Sequence, residues 1–304
     1  MKQMKIVFLI LHYGNASVTI SAVDSVKALE EIEQSIIVIV DNASPNGSGH
    51  VLKEYYYGDN MIDVILLSQN IGFSRGNNAG YSYVKEHYIF DFCIVMNNDV
   101  LIKQKNFIIK LYQIYEKELF YVAGPDIYVP QRDYHASPLR PKLMSDEEYK
   151  KYIIELERKL VLYSKKWRYF PLKMYIIEYF RESYVLQCLF RWKRKIFKNP
   201  NLYTTKRRKY CILEGSCIIF TKKFCDVNDK LFYPETFLYV EEDILTRRCV
   251  ENGWSLFYMP ELQIWHTEHG STYKKDSYKE FCHKKYCQWK MVRDAFAIYE
   301  RMES

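Results

Sequence analysis

Between Lys5 and Gly124 the chain alternates short, continuous apolar runs with longer stretches in which apolar and polar residues recur at helical spacing. The runs Ile6 to Leu11, Ile36 to Val40, Val64 to Leu67, Phe92 to Met96 and Phe120 to Ala123 predict strands. Val18 to Glu31, His50 to Tyr56, Ser74 to His87 and Phe107 to Glu118 predict helices between them. Strands that are apolar on both faces and separated by helices imply a parallel sheet covered on both sides. With right-handed crossovers this is a doubly wound α/β domain, whose ligands sit beyond the carboxyl ends of the strands.

The polar clusters of the first half fall at those ends. His12 to Ser17 follows the first strand, Asp41 to Ser48 the second, Ser68 to Arg75 the third and Asn97 to Asp99 the fourth. Beyond residue 124 the alternation breaks. Pro125, Pro130, Pro138, Pro141 and Pro171 punctuate basic, aromatic stretches that predict a helical insert over 125–210. Regularity returns with a strand over Cys211 to Thr221, a helix over Glu241 to Asn252, and short strands at Ser255 to Tyr258 and Leu262 to Trp265. Ser277 to Arg301 predicts a C-terminal helix. The organisation read from this pattern is a first half over 1–124, the insert over 125–210, a second half over 211–272 and the C-terminal helix over 273–304.

Composition adds three points. A chain of 304 residues with 28 Tyr and 17 Phe can bury a large core, which excludes global disorder. The 8 cysteines form no C-x-x-C pair, so they read as reduced thiols of a cytosolic protein and not as a disulfide or zinc framework. The apolar run near the N-terminus stops at His12 with no small-residue cleavage site after it, which predicts a buried strand and not a signal peptide.

Two polar segments carry candidate chemistry. In SQNIGFSRGNNAG, residues 68–80, Gly72, Gly76 and Gly80 share one helix face. That face allows close approach of the backbone, either to a ligand or to another element. At MNNDV, residues 96–100, a buried strand ends in Asn97, Asn98 and Asp99. Their oxygens suit Mg²⁺ or Mn²⁺ held between protein and phosphate, and equally suit a turn.

Together these residues resemble glycosyltransferase family 2, inverting enzymes of GT-A fold, especially its rhamnosyltransferase-like bacterial members. The resemblance rests on VDNAS at 40–44, NIGFSRGNNAG at 70–80, NND at 97–99, EGSCIIFTKK at 214–223, FLYVEEDIL at 237–245 and WHTEHGST at 265–272. It implies a nucleoside-diphosphate sugar donor, with Asp41 at the base and Asn70, Arg75, Asn78 and Asn98 around the nucleotide-sugar pocket. Asp99 and His266 are implied as ligands of Mg²⁺ or Mn²⁺, with Asn97 beside them where many relatives carry Asp; His269 is the lesser candidate. The E-D-like motif implies a catalytic base at Glu242 or Glu241. Its acceptor would be a glycan or a lipid-linked oligosaccharide in surface polysaccharide synthesis.

The net charge of +7 is uneven, since residues 140–210 hold 20 Lys and Arg against 7 Asp and Glu. This block is expected either as a solvated helical hairpin or as a surface for an anionic membrane. Met174 to Phe190 contains Glu178, Arg181 and Glu182 and does not predict a membrane span. Nucleic acid is not the expected partner. The expected location is the cytoplasm, peripheral on the inner face of the cell membrane if the block binds lipid. A nucleotide-sugar-binding scaffold with weak catalysis is the alternative class. A nucleotidyltransferase would need a Gly-rich basic phosphate loop after the first strand, and His12 to Ser17 supplies none.

Overall fold

The first strand, β1 (Ile6–His12), is apolar until its last residue and buried almost throughout, so it must lie between two covered faces. The structure is a computed structural model that describes residues 5–164, 169–179, 205–267 and 276–302. In chain order its elements are β1, α1 (Ala16–Lys27), β2 (Ile36–Asp41), α2 (Ser48–Tyr55), β3 (Ile62–Leu66), α3 (Phe73–His87), β4 (Phe92–Asn97), β5 (Val100–Leu101) and α4 (Phe107–Lys117). They continue with β6 (Val122–Val129), β7 (Tyr134–His135), α5 (Asp146–Ser164), α6 (Tyr169–Tyr179), β8 (Arg208–Lys209), β9 (Cys217–Thr221), α7 (Lys222–Asp226), α8 (Glu241–Glu251), β10 (Leu256–His266) and α9 (Tyr278–Arg301). By internal packing the chain forms two compact units: Met1–Leu143 with Asn201–Phe237 and Glu241–Ser271, and Met144–Pro200 with Leu238–Val240 and Thr272–Ser304.

The first unit is a mixed α/β layer structure around one sheet of order β3-β2-β1-β4-β9-β6-β10-β5. β3, β2, β1 and β4 are mutually parallel. β9 enters antiparallel between β4 and β6, and β6 and β10 are again parallel. The sheet is thus mostly parallel, as the apolar runs predict. From β1 the chain steps outward to β3 and returns to β4 on the other side of β1, which makes the carboxyl ends of β1 and β4 the topological switch point. One buried cluster lines one face of the sheet, with Phe8, Ile10, Val23, Phe107 and Leu111 among its members. A second, with Val7, Leu9, Tyr81, Phe220 and Leu245, lines the other.

Three elements differ from the sequence expectation. The strand expected over Cys211 to Thr221 forms only at Cys217–Thr221, because Glu214 folds back to accept the Ser216 N–H at 2.9 Å and takes that donor out of any ladder. The two short strands expected over Ser255 to Trp265 are one strand, β10, with a register irregularity between Met259 and Gln263. Pro260 sits there without an N–H to donate, which is where a bulge is tolerated. The boundary expected at residue 124 lies inside β6, which runs through Pro125 to Val129.

The second unit is helical. Ser145 and Glu148 close a capping box at the start of α5, and Ser277 and Glu280 close another at the start of α9. Tyr163, Phe281 and Cys282 form its core, with Met174, Tyr175 and Trp289 against them. Arg293 donates to Glu157 at 2.8 Å and so ties α9 to α5. No helix among the described residues is long and apolar enough to cross a membrane. Cys93, Cys211, Cys217, Cys225, Cys249, Cys282 and Cys287 are free thiols. The basic run at 191–198, and Glu268 and His269, lie outside the described residues.

Candidate active site at the carboxyl edge of the sheet

β1 ends in His12, a fully buried imidazole at the foot of the switch point. Its Nδ1 lies 2.6 Å from Thr19 Oγ1 on α1 and its Nε2 lies 2.8 Å from Ser48 Oγ on α2. Asn98 donates to the same Thr19 hydroxyl at 3.0 Å. Burial lowers the His12 pKa, and the Asp41 carboxylate offsets part of that. The ring is therefore neutral at pH 7 and works as a hub joining β1, α1, α2 and the turn after β4. In the sequence His12 opens the polar cluster after the first strand, but nothing there assigns it this bridging role.

Asp41, at the end of β2, is 5% exposed and accepts from Ser44 N–H at 3.1 Å and Ser44 Oγ at 2.5 Å. Gly49 in the first turn of α2 is where it fits: a Cβ there would stand 2.1 Å from Asp41 Oδ2 and 2.7 Å from its Cβ. Asp41 thus shapes the loop after β2. Its neighbour Asn42, not singled out in the sequence, receives Ile71 N–H at 3.0 Å and donates to Gly72 O at 3.1 Å, pinning the entry to α3.

The glycine face of α3 packs on protein. A side chain at Gly76 would meet Leu11 and Asn42, and one at Gly80 would meet Leu9 and Val40. Gly72 has φ +86 and a Cβ there would lie 2.4 Å from Phe237 O, so it alone needs both glycine's backbone freedom and its lack of a side chain. Asn70 is exposed and accepts the Gly72 N–H at 3.0 Å. Arg75 is exposed and donates to Pro234 O at 2.7 Å. Asn78 is buried and uses both ends of its amide on Phe232, donating to its O at 2.8 Å and accepting its N–H at 3.1 Å. Ser74 Oγ lies 2.8 Å from Thr236 Oγ1. These side chains clamp the segment 231–237 along α3, and in this structure Asn78 holds protein backbone.

After β4, Asn97 donates its N–H to Ser216 O at 2.9 Å. Asp99 Oδ1 stands 3.2 Å from His266 Nε2, and both side chains are partly exposed. Antiparallel pairing of His266 with Val100 sets this contact, and Thr267 N–H and Oγ1 bond Asp99 O at 2.9 and 2.8 Å. Two cis ligands of an octahedral cation with bonds of about 2.1 Å stand about 3 Å apart, so an Asp oxygen and a His nitrogen at this separation fit Mn²⁺ or Mg²⁺. Among the described residues no group of three His, Cys, Asp or Glu side chains converges on one point.

On the other side of the Asn97–Ser216 contact lies a cluster of carboxylates. Residues Tyr239 and Val240, at φ 77 and 68, turn the chain sharply into α8. The first turn of α8 then presents Glu241, Glu242 and Asp243. Glu241 is buried with Oε1 3.5 Å from Ser74 Oγ. Burial raises its pKa to about 7, against hydrogen bonds from Thr236 and Ser74. Asp243 is ion-paired to Arg140. Glu242 is half-buried beside Gly215, and its carboxyl is held well above the usual range by desolvation and by the charges of Glu241, Glu214 and Asp243.

The sequence profile described as Glycosyl transferase family 2 matches residues 8–184. The chain belongs to that family. Its fold is similar to the mannosyltransferase PcManGT from Pyrobaculum calidifontis in complex with GDP-Man and Mn²⁺, at TM-score 0.52 and 10% identity over 97% of this chain and 64% of that one. It is also similar to GalNAc-T7 with UDP, GalNAc and Mn²⁺, at TM-score 0.56 and 11% identity over 95% of this chain and 48% of that one. The chain thus spans less than two thirds of either structure's length. No curated protein sequence matches it. The fold is that of GT-A glycosyltransferases, as the motif resemblance implies.

Proposed function

We propose that the family 2 domain is an inverting glycosyltransferase that moves a sugar from a nucleoside diphosphate to a hydroxyl of a glycan or lipid-linked acceptor, in the synthesis of a surface polysaccharide. The observation that carries this reading is the continuity of the site. Glu242 abuts Gly215, Ser216 O receives the Asn97 N–H, and two residues on Asp99 meets His266. A proton acceptor and a pair of cation ligands are thereby joined through one short path at the sheet edge.

In this reading Glu242 takes the proton of the acceptor hydroxyl, whose oxygen bonds to the anomeric carbon from the face opposite the diphosphate. The bond from that carbon to the phosphate oxygen breaks with its electron pair leaving on the nucleoside diphosphate, and the anomeric configuration inverts. Asp99 and His266, with Asn97 beside them, would hold Mn²⁺ or Mg²⁺, which supplies charge neutralisation for the leaving diphosphate. Asn70 and Arg75, both exposed at the α3 entry, would face the donor, and Asp41, Asn78 and Asn98 would shape the loops beneath it. Glu242 is preferred over Glu241 because it is the more exposed and Glu241 is directed at Ser74 and Thr236.

The test is Glu242→Gln, assayed for nucleotide release from a panel of UDP-glucose, UDP-N-acetylglucosamine, GDP-mannose and dTDP-rhamnose with Mn²⁺ and candidate acceptors. Turnover should fall about 10²-fold or more with donor binding retained. Near-normal turnover removes Glu242 as the base. The neutral Asn97 favours a second reading, a nucleotide-sugar-binding scaffold, for which donors would bind and neither transfer nor hydrolysis would follow in the wild type.

Membrane association is part of the proposal. Leu172, Ile176 and Tyr179 of α6 are exposed at helical spacing and precede the basic run at 191–198, a composition that suits a peripheral position on an anionic cytoplasmic leaflet. Vesicles containing phosphatidylglycerol should carry the protein upward on flotation at low salt and release it at high salt. Absence of flotation at low salt removes this part.

A further inference from the structure

Gly215 has no backbone reason to be glycine. Among the described residues the glycines with left-handed φ are Gly14, Gly47, Gly58, Gly72 and Gly253; Gly215 is not one of them, so alanine can adopt its conformation. The reason lies in space. A Cβ built on Gly215 would stand 2.2 Å from Glu242 Oε1, 3.2 Å from its Cδ and 3.5 Å from its Cγ, and these are the three nearest atoms it would meet. The room left by the missing side chain is the room that the Glu242 carboxyl occupies.

The turn that carries Gly215 is itself fixed. Glu214 accepts the Ser216 N–H at 2.9 Å and the Ser216 hydroxyl as well. Ser216 is 1% exposed, and its carbonyl receives the Asn97 N–H at 2.9 Å. Ser216 leads directly into β9, which is hydrogen-bonded along β4. The Gly215 surface is therefore registered to the strand that ends in Asn97, while Glu242 comes from a helix whose start is turned by Tyr239 and Val240.

We propose that the Glu214–Gly215–Ser216 turn is a seat for the Glu242 carboxyl, and that Gly215 is a positioning residue whose absent side chain decides where the base of the transferase stands. This inference rests on the reading of Glu242 as the base, and it adds that the placement is set from β9 and not by α8 alone. Gly49 offers the contrast. A side chain there would strike Asp41 as far back as its Cβ, so substitution would disturb the loop after β2. At Gly215 the obstructed atoms are the far end of a flexible side chain, so the fold can accept a methyl group by moving only that end.

The experiment compares the full-length wild type, Gly215→Ala, Glu242→Gln and the double variant Gly215→Ala with Glu242→Asp. Three readouts are thermal unfolding, nucleotide release from the same four donors with Mn²⁺, and substrate-free titration of ¹³C-labelled glutamate carboxyls by NMR. The signal missing in Glu242→Gln identifies Glu242. Gly215→Ala should unfold within a few degrees of the wild type, because the added methyl group displaces only the far end of the Glu242 side chain. Its turnover should fall about ten- to a hundredfold, the range expected when a reacting group is misplaced by about 1 Å, with Kd for UDP–Mn²⁺ or GDP–Mn²⁺ unchanged. Its Glu242 titration midpoint should move, because the carboxyl leaves the neighbourhood of Glu214. Aspartate, one methylene shorter, retreats from the new methyl group, so the double variant should exceed Gly215→Ala in turnover. Wild-type turnover in Gly215→Ala, or an unmoved Glu242 midpoint, overturns the seat. If instead the wild type turns over no donor, or Glu242→Gln equals the wild type, the functional reading fails while the substrate-free titration still decides the seat.

Discussion

Asp99 Oδ1 stands 3.2 Å from His266 Nε2 across a two-residue strand pairing in which His266 lies opposite Val100. The two donors come from positions far apart in the chain and meet because β10 returns antiparallel to β5. If they hold the cation, Mn²⁺ at about a hundred times its Kd should stabilise the wild type by about 2.7 kcal/mol. His266→Ala and Asp99→Asn should each lose most of that gain in thermal unfolding. A Mn²⁺ shift undiminished in both would move the cation elsewhere.

Glu241 links the site to stability through pH. Burial raises its carboxyl from an ordinary 4.5 to about 7, so between those values the folded chain binds more protons than the unfolded one. Stability contributed by this group accordingly falls as pH rises from about 4.5 to about 7. Glu241→Gln, which keeps the shape and can still bond Ser74, should leave stability unchanged near pH 4 and raise it by on the order of 1–3 kcal/mol at pH 8. Urea unfolding of both proteins across pH 4–8 checks the slope; parallel curves would refute it.

Activity should show the same electrostatics from the other side. The base must be ionised, and the Glu242 carboxyl is held above the usual range by burial and by its acidic neighbours. The acidic limb of kcat/KM should therefore lie above that of an ordinary glutamate. Glu214→Gln removes one neighbouring charge and should move that limb to lower pH. A limb that does not move would show that Glu214 does not act on the base.

Asn78 is a test of structural against ligand-binding duty. Both ends of its amide are spent on Phe232, 154 positions away. Asn78→Ala should cost about 2–3 kcal/mol by leaving two buried backbone groups unpaired, measured by urea unfolding. If stability is unchanged and only nucleotide Kd rises, the residue is a ligand contact after all.

That separation also explains what could be read from the sequence. The continuous apolar runs of β1, β2 and β4 announce a parallel sheet, and the polar residues closing them mark its working edge. Asn97 to Asp99, Glu241, Glu242 and His266 stand out by type and motif. Asn42, Ser74 and Gly215 do not, because each acquires its role from a contact made only after folding: Asn42 with the α3 entry, Ser74 with Thr236, Gly215 with a carboxyl from α8. The antiparallel insertion of β9 was equally hidden, since an apolar strand reads the same in either direction.

Pro125 on β6 is paired with Met259 on β10, the residue before Pro260. Where they meet, β10 advances from Met259 to Gln263 while its partner β6 advances only from Pro125 to Asp126. The three surplus residues are an odd number, and a strand alternates its faces with period two. Before the bulge Leu256 and Tyr258 pack into one cluster; after it Leu262 and Ile264 pack into the opposite one. The bulge is thus a phase inverter for the last third of the strand, and it determines that the His266 imidazole, and not the Trp265 indole, takes the sheet face lined by Phe8, Ile10 and Val100. A deletion that closed it by one residue would exchange the two without altering a single ligand in the sequence.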